Sequence, residues 1–233
     1  MIIVITGANR GLGKALTEKF LQENNQVIMV CRNKESSSEV FNMFNNKYGN
    51  VYLYQADLGS IAEIEQLGIE LKKNFSKIDA LLNCGAVNLD GMESSIATMD
   101  ISMFRNTMQI NLVGSMWMCK TLLPLLLKSD DARIVNFSSG LGQLSVPRMG
   151  PFPAYSISKT AVNALTKILA EELINTNVTV VSVDPGWVKT DMGGPNAMLE
   201  IEEGIDTPYW LVTAPKHNIS TGTFYKERKV LGW

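Results

Sequence analysis

The chain opens on Met1-Ile2-Ile3-Val4-Ile5-Thr6-Gly7-Ala8-Asn9-Arg10-Gly11-Leu12-Gly13, and the reading of this stretch decides the fold. Ile2–Thr6 is a short β-branched run, the pattern of a buried strand. Gly7, Gly11 and Gly13 follow at G-x-x-x-G-x-G spacing and lead into a helical pattern that starts at Leu12. Glycines there permit a tight turn and let backbone N–H groups approach a pyrophosphate, whose charge the helix N-terminus favours. Strand, glycine loop and helix in that order are the signature of a dinucleotide-binding unit.

The same alternation runs outward to the end of the chain. Strands are predicted at Ile2–Thr6, Gln26–Cys31, Val51–Gln55, Ile78–Asn83, Arg133–Ser138, Val178–Val183 and Thr223–Tyr225. Helices are predicted at Leu12–Asn24, Ser36–Asn46, Ile61–Asn74, Ile101–Leu127 (in one piece or two), Ala154–Asn175 and Ile201–Thr213. Short strands alternating with helices imply an α/β, doubly wound Rossmann fold, with a central parallel sheet of about seven strands and helices on both faces. No repeat or long linker interrupts the pattern. The expectation is one domain over residues 1–233, with a cofactor half to about 110 and a catalytic, substrate-loop half from about 111. The Gly/Pro-rich stretches Gly140–Pro153 and Pro185–Asn196 follow strands of the second half and should border the ligand crevice. Leu141, Met149, Trp187 and Met192 are candidates for an apolar pocket there, or for ordinary packing.

Composition removes several classes. With 233 residues the chain can bury roughly three-quarters of its unfolded surface. A formal net charge of −2 offers no basic surface for nucleic acid. The local cluster Lys226, Arg228 and Lys229 reads as a solvated C-terminal face. Cys31, Cys84 and Cys119 are odd in number and widely spaced, which suits a reducing cytoplasm and neither a disulfide framework nor a zinc site. The N-terminal strand leaves no room for a secretory signal. Ile110–Leu127 is interrupted by Lys120 and Pro124 and reads as a buried helix, not a membrane span. The single histidine, His217, would have to carry any histidine-dependent hydrolase or metal site alone, so no metal is expected and acid–base chemistry must come from other groups.

Tyr155-Ser156-Ile157-Ser158-Lys159 supplies them. Four residues apart on a helix, Tyr155 and Lys159 share a face. The pair follows a strand ending Asn136-Phe137-Ser138-Ser139, and Asn111 stands in Gln109-Ile110-Asn111-Leu112-Val113-Gly114. The end of the second strand, Val30-Cys31-Arg32-Asn33, lacks the acid that accepts a bond from an NAD ribose hydroxyl. Arg32 and Arg10 are placed to clamp a 2′-phosphate by charge-assisted bonds, which favours NADP(H).

Taken together, T-G-x-x-x-G-x-G at Thr6–Gly13, Ser139, Tyr155-x-x-x-Lys159 and Asn111 resemble the short-chain dehydrogenase/reductase family in its compact branch. That resemblance implies an oxidoreductase moving a hydride between nicotinamide and a carbonyl or alcohol. It implies a tetrad of Asn111, Ser139, Tyr155 and Lys159, with Ser139 preferred to Ser138 as the residue that orients substrate oxygen. Tyr155 would be the general acid/base, Lys159 would lower its pKa and hold the nicotinamide ribose, and Asn111 would support a water that relays protons. The cofactor set would comprise Thr6, Gly7, Asn9, Arg10, Gly11, Leu12 and Gly13, with Arg32, Asp57, Leu58, Asn83, Gly85, Tyr155, Lys159, Pro185, Gly186, Val188 and Thr190. Asn83-Cys84-Gly85-Ala86 occupies the place of the family's N-N-A-G motif, with Cys84 for the second Asn. Pro185-Gly186-Trp187-Val188-Lys189-Thr190-Asp191-Met192 is similar to carbonyl reductases of the C-factor and sniffer type. The family also suggests a homodimer or homotetramer through the two long central helices, although core packing explains their apolar content equally well. A dinucleotide-binding redox sensor on the same fold is the rival function.

Overall fold

The structure, a computed structural model, describes residues 1–147 and 150–233, so the pocket expectation for Met149 lies outside the described residues. The elements are β1 (Ile2–Thr6), α1 (Gly11–Gln22), β2 (Gln26–Cys31), α2 (Ser38–Tyr48), β3 (Val51–Gln55), α3 (Ile61–Asn74), β4 (Ala80–Asn83), α4 (Ile101–Met108), α5 (Ser115–Leu126), β5 (Ala132–Phe137), α6 (Pro153–Glu172), β6 (Val178–Val183), α7 (Ile201–Thr213), β7 (Thr223–Lys226) and β8 (Lys229–Leu231). The sheet order is β3-β2-β1-β4-β5-β6-β7-β8. Every pairing from β3 to β7 is parallel; only β7–β8 is antiparallel.

Alternate residues of each strand feed different cores, as the pleat requires. Ile3 and Ile5 of β1 and Val27 and Met29 of β2 pack with Leu16, Phe20, Phe44 and Leu211, under α1, α2 and α7. Val4, Ile28 and Val30 pack on the opposite face with Ile64, Leu71, Met118, Leu122 and Leu173, under α3, α5 and α6. The result is a helix–sheet–helix sandwich, buried on both faces as a parallel sheet must be. The chain reverses its direction of winding between β1 and β4, and the crevice outside their carboxyl ends is where such sheets bind ligands.

Two features depart from expectation. The predicted helix Ile101–Leu127 is continuous but changes pitch: Gln109–Gly114, between α4 and α5, is π-helical. The eighth strand was not expected, because its turn carries no Gly or Asn. Glu227 and Arg228 take positive φ (49° and 58°), the backbone of a tight hairpin, even though neither is a residue that favours it. The Arg228 guanidinium bonds to Asp206, and its N–H donates to Thr207 Oγ1 at 3.1 Å, which holds that turn against α7. Lys226, from the cluster read in sequence as a solvated face, is part-exposed and also pairs with Asp184 at 3.2 Å. Among the described residues no helix is long and apolar enough to cross a membrane.

Gly114 shows how tightly the layers meet. A Cβ there would stand 2.6 Å from the Leu58 carbonyl oxygen and 2.9 Å from Leu58 Cβ. Gly114→Ala should therefore cost about 1–3 kcal/mol by overpacking. Thermal unfolding should show a Tm lower by about 2–4 °C for each kcal/mol lost.

Candidate active site

The crevice at the carboxyl ends of β1 and β4 is a cradle of backbone. Gly7 sits at φ +66°, and a Cβ on it would come within 2.9 Å of Gly85 Cα. A Cβ on Gly13 would meet the Gly7 carbonyl at 2.3 Å, so α1 can follow the turn this closely only with glycine there. Thr6 Oγ1 accepts a bond from the Gly85 N–H at 2.9 Å and ties the two strand ends together. Leu58 leans on Gly85: a Cβ there would stand 2.8 Å from its side chain. Asn9, Gly11 and Leu12 complete the turn, half-buried at the start of α1. The set fits a dinucleotide pyrophosphate, a group that needs unobstructed N–H donors at a helix N-terminus.

Beside this cradle the β5 end turns sharply over α6. Ser138 is buried, its hydroxyl donating to the Lys159 carbonyl at 3.2 Å. Ser139 is half-buried; its hydroxyl accepts from Leu141 N at 3.2 Å, and its proximity favours the ionised form of the Tyr155 phenol. Lys159 is 3% exposed and its Nζ donates to the Phe137 carbonyl at 2.7 Å, 5.4 Å from the Tyr155 ring centre. Ser139, Tyr155 and Lys159 thus meet at one point, while Ser138 serves the packing of α6.

Electrostatics at that point are mixed. Burial lowers Lys159 to about 8, a shift that Cys84 opposes. Burial also pushes the Tyr155 phenol above its ordinary value, the charge of Asp184 and the Cys84 thiol add to the rise, and Ser139 pulls the other way. Cys84, half-buried at the β4 end, is itself pushed up to about 12 by burial against the opposing charge of Lys159. Its thiol therefore keeps its proton at neutral pH and is no nucleophile there.

Asn111 reaches α6 from the π-helical turn. It is 1% exposed; its Oδ1 accepts from Val87 N at 2.8 Å, and its Nδ2 donates to Val87 O (2.8 Å) and Ser158 Oγ (3.0 Å). Its side chain ties the long 84–100 loop to α6.

The other cofactor candidates divide. Asp57 is half-buried, with Oδ1 accepting from Gly59 N at 2.8 Å. Pro185 and Gly186 (φ +82°) form the turn after β6, Val188 is buried and Thr190 half-buried, its methyl lying 3.4 Å from where a Gly11 Cβ would be. Arg32 is exposed at the end of β2. Arg10 is also exposed, but its guanidinium meets Asp191 at 3.4 Å, an exposed pair worth little and easily exchanged. Asn83 is not brought to the crevice by its side chain. It is 3% exposed and its Nδ2 donates to Asn136 Oδ1 at 2.8 Å, toward α5 and α6. Trp187 and Met192 stand about half exposed on the loop after β6, and Leu141 is half-buried. Among the described residues no three His, Cys, Asp or Glu side chains gather as a metal site.

Known proteins carry the same architecture. The short chain dehydrogenase family model matches residues 1–198. The chain belongs to the short chain dehydrogenase family. It is 28% identical to the carbonyl reductase Sniffer of D. melanogaster, with a TM-score of 0.88 over 99% of this chain and 98% of that one. A short chain dehydrogenase of Escherichia coli CFT073, solved with NADPH, is 25% identical with a TM-score of 0.87 over 96% and 95%. The (+)-neomenthol dehydrogenase of Arabidopsis thaliana is 27% identical over 97% of this chain and 96% of its own.

This dehydrogenase uses one residue that sequence reading missed. Asp90 lies in the irregular 84–100 loop, and its carboxylate accepts from the N–H groups of Tyr155 (2.8 Å) and Ala154 (3.3 Å). It caps α6 from 64 residues away, so no local S/T/D-before-helix signal exists; only the length of the loop hinted that it had work to do. Asp90→Ala should cost about 0.5–2 kcal/mol in thermal unfolding. Turnover should fall with it, and Asp90→Asn, which keeps one acceptor, should recover part of both losses.

Proposed function

We propose that this chain is an NADP(H)-dependent carbonyl reductase in which Tyr155 is the general acid. The convergence of Ser139, Tyr155 and Lys159 beside the glycine cradle carries this reading. Bound NADPH supplies the hydride. The protein's own task is then to hold the carbonyl, accommodate negative charge on its oxygen and deliver a proton there. Ser139 orients the oxygen by hydrogen bond, and Tyr155, beside it, donates the proton. The phenol's raised pKa keeps that proton in place until the oxygen has become basic enough to take it. In the reverse direction, lowering a phenol by about three pKa units requires roughly 4 kcal/mol of phenolate stabilisation. Lys159, held by Phe137 O near the Tyr155 ring, is the cation available for it. Asn111 holds the loop that seats Tyr155, and a water at its side would relay protons to Lys159.

Preference for NADP(H) is supported by the absence of an acid at the end of β2 and by Arg32 and Arg10 at the rim. Arg10 would exchange its Asp191 partner for the 2′-phosphate. Pro185, Gly186, Val188 and Thr190 would border the nicotinamide. The names of Sniffer, a carbonyl reductase, and of neomenthol dehydrogenase support carbonyl–alcohol interconversion as the reaction class. A homodimer or homotetramer through α4–α5 and α6 would cover Ile101, Ile157 and Ile168, all exposed on those helices.

An NADPH-oxidation screen over aldehydes, ketones, quinones and diketones tests the reading. Turnover is expected, and Tyr155→Phe should lower it by about 10²–10⁴-fold with NADPH affinity retained. Tight NADPH binding without turnover would identify a redox sensor instead.

Arg32→Ala should raise the KM for NADPH roughly 10–100-fold, the loss of one charge-assisted bond of about 1.5–3 kcal/mol, and leave NADH use unchanged. Comparable kcat/KM for NADH and NADPH in the wild type would refute the cofactor assignment.

The active form for reduction has both Tyr155 and Lys159 protonated. Rates should therefore hold at low and neutral pH and fall as pH rises through about 8, where Lys159 gives up its proton. A pH profile of kcat/KM for reduction checks this.

A further inference from the structure

Asp184 is the last residue before the Pro185-Gly186 turn, and the reading of Tyr155 as general acid does not use it. It is 4% exposed at the end of β6. Its N–H donates to the Tyr225 carbonyl at 2.8 Å, which continues the β6–β7 pairing by one residue. Its two carboxylate oxygens have separate tasks. Oδ1 accepts from the Gly186 N–H at 3.0 Å and closes the turn whose far side carries Val188 and Thr190. Oδ2 meets Lys226 Nζ of β7 at 3.2 Å, and Lys226, unlike Asp184, reaches solvent. Oδ2 also lies 3.1 Å from where a Gly140 Cβ would be, so only glycine next to Ser139 leaves room for it.

The carboxylate is thus lodged directly behind the Ser139–Gly140 turn. Among the described residues, few titratable groups face the phenol. Lys159 comes from its own helix, the Cys84 thiol from the end of β4, and Asp184 from the end of β6. Asp90, from the 84–100 loop, is bonded to the Tyr155 N–H at the foot of the residue. Of the two carboxylates, Asp184 is the one whose charge disfavours the phenolate. A buried carboxylate beside a catalytic phenol works against phenolate formation unless its own charge is offset, and Lys226 is the cation that offsets it.

We propose that Asp184 and Lys226 act as a charge pair, seated behind Ser139 and Gly140, that sets the pH window of the Tyr155–Lys159 centre. Neither touches substrate in this arrangement; both are positioning residues, and the inference rests on the reading of Tyr155 as the proton donor. The physics gives opposite signs for the two halves of the pair. Removing the negative charge at Asp184 eases both deprotonation of Tyr155 and loss of the proton from Lys159. Removing Lys226 leaves Asp184 uncompensated and makes both harder. A purely structural role for either residue would change rates and stability without producing opposed shifts.

The test uses NADPH and a vicinal aromatic diketone such as phenylpropanedione as probe, with kcat/KM followed across pH. Asp184→Asn keeps an acceptor for Gly186 N–H and removes the charge; its alkaline limb should move down by roughly 0.5–1 in pH. Lys226→Met should move the limb up by a similar amount, and the double variant should return it close to the wild type. Lys226→Met with an unmoved limb, or with one displaced in the same direction as Asp184→Asn, overturns the proposal. Should the diketone not be turned over, the same signs are read from tyrosinate absorbance of the NADP⁺ complex, taken as the difference from Tyr155→Phe. Melting curves and NADPH affinity identify any variant that fails to fold, and Lys226→Gln then replaces Lys226→Met. Undiminished turnover in Tyr155→Phe would defeat the catalytic reading itself, whereas an inactive Tyr155→Phe with unmoved limbs defeats only the role of the pair.

Discussion

The site depends on one close contact, that of Gly142 with the backbone of α6. A Cβ at Gly142 would lie 2.7 Å from the Lys159 carbonyl carbon and 2.8 Å from both Lys159 Cβ and Thr160 N. With glycine there, the turn after β5 rests directly on the helix. The Gly142 carbonyl then accepts from Thr160 Oγ1 at 3.0 Å and Asn163 Nδ2 at 3.3 Å. Those bonds hold the short 3₁₀ turn Gly140–Gly142 in place, and with it the Ser139 hydroxyl beside Tyr155. The same approach sinks Lys159 far enough to reach the Phe137 carbonyl. A substituent of one carbon at Gly142 would lift the serine from the tyrosine and the lysine from its acceptor together, which is why geometry at this site is collective.

Sinking a lysine to this depth has an electrostatic consequence. Among the described residues its ammonium meets one carbonyl and no carboxylate, so burial dominates and its pKa falls to about 8. Folding therefore works against the charged form below the ordinary lysine value, and stability gains as pH rises from about 8 toward it. Asp90 and Asn111 also bear on α6, since both anchor the 84–100 loop to the helix that carries Tyr155 and Lys159. Neither is near it in sequence.

What the sequence could reveal follows from the range of the forces involved. β1, α3, β6 and α7 were legible to the residue because strand and helix periods are local and their ends carry turn or cap residues. The glycine loop was legible because a close backbone approach leaves no alternative residue. β8 was not, since Glu227 and Arg228 adopt left-handed backbone only under the tertiary hold of Asp206 and Thr207. The π-helical pitch at Asn111 also escaped notice, because one extra residue per turn leaves the apolar pattern of Ile101–Leu127 almost unchanged. The inward direction of Asn83 could not be read either, as its partner Asn136 is a strand away and 53 residues on. Asp90 is the sharpest case: a capping residue with no helix of its own.

Asn83 also shows how a sheet so apolar becomes polar at the strand ends that face Tyr155 and Lys159. On the face under α5 and α6, Leu81, Ile134 and Val180 are core residues, and two positions further along their strands stand Asn83, Asn136 and Ser182. Asn83 donates to Asn136, Asn136 donates to Thr166 Oγ1 at 2.9 Å, and Ser182 bonds the same Thr166 oxygen at 2.8 Å. The chain of bonds crosses β4, β5, α6 and β6 within one layer. Apolar contacts in those positions would stabilise the sandwich as well or better, since Asn83 Oδ1 finds no partner among the described residues. Apolar packing, however, tolerates sliding, whereas a directional bond weakens within a few tenths of an ångström. The ladder therefore fixes the depth and rotation of α6 relative to the strand ends seven residues, or about two turns, before the helix reaches Lys159 on its way back to Tyr155. The protein accepts a less favourable core at that level to hold a phenol, an ammonium and a hydroxyl in register.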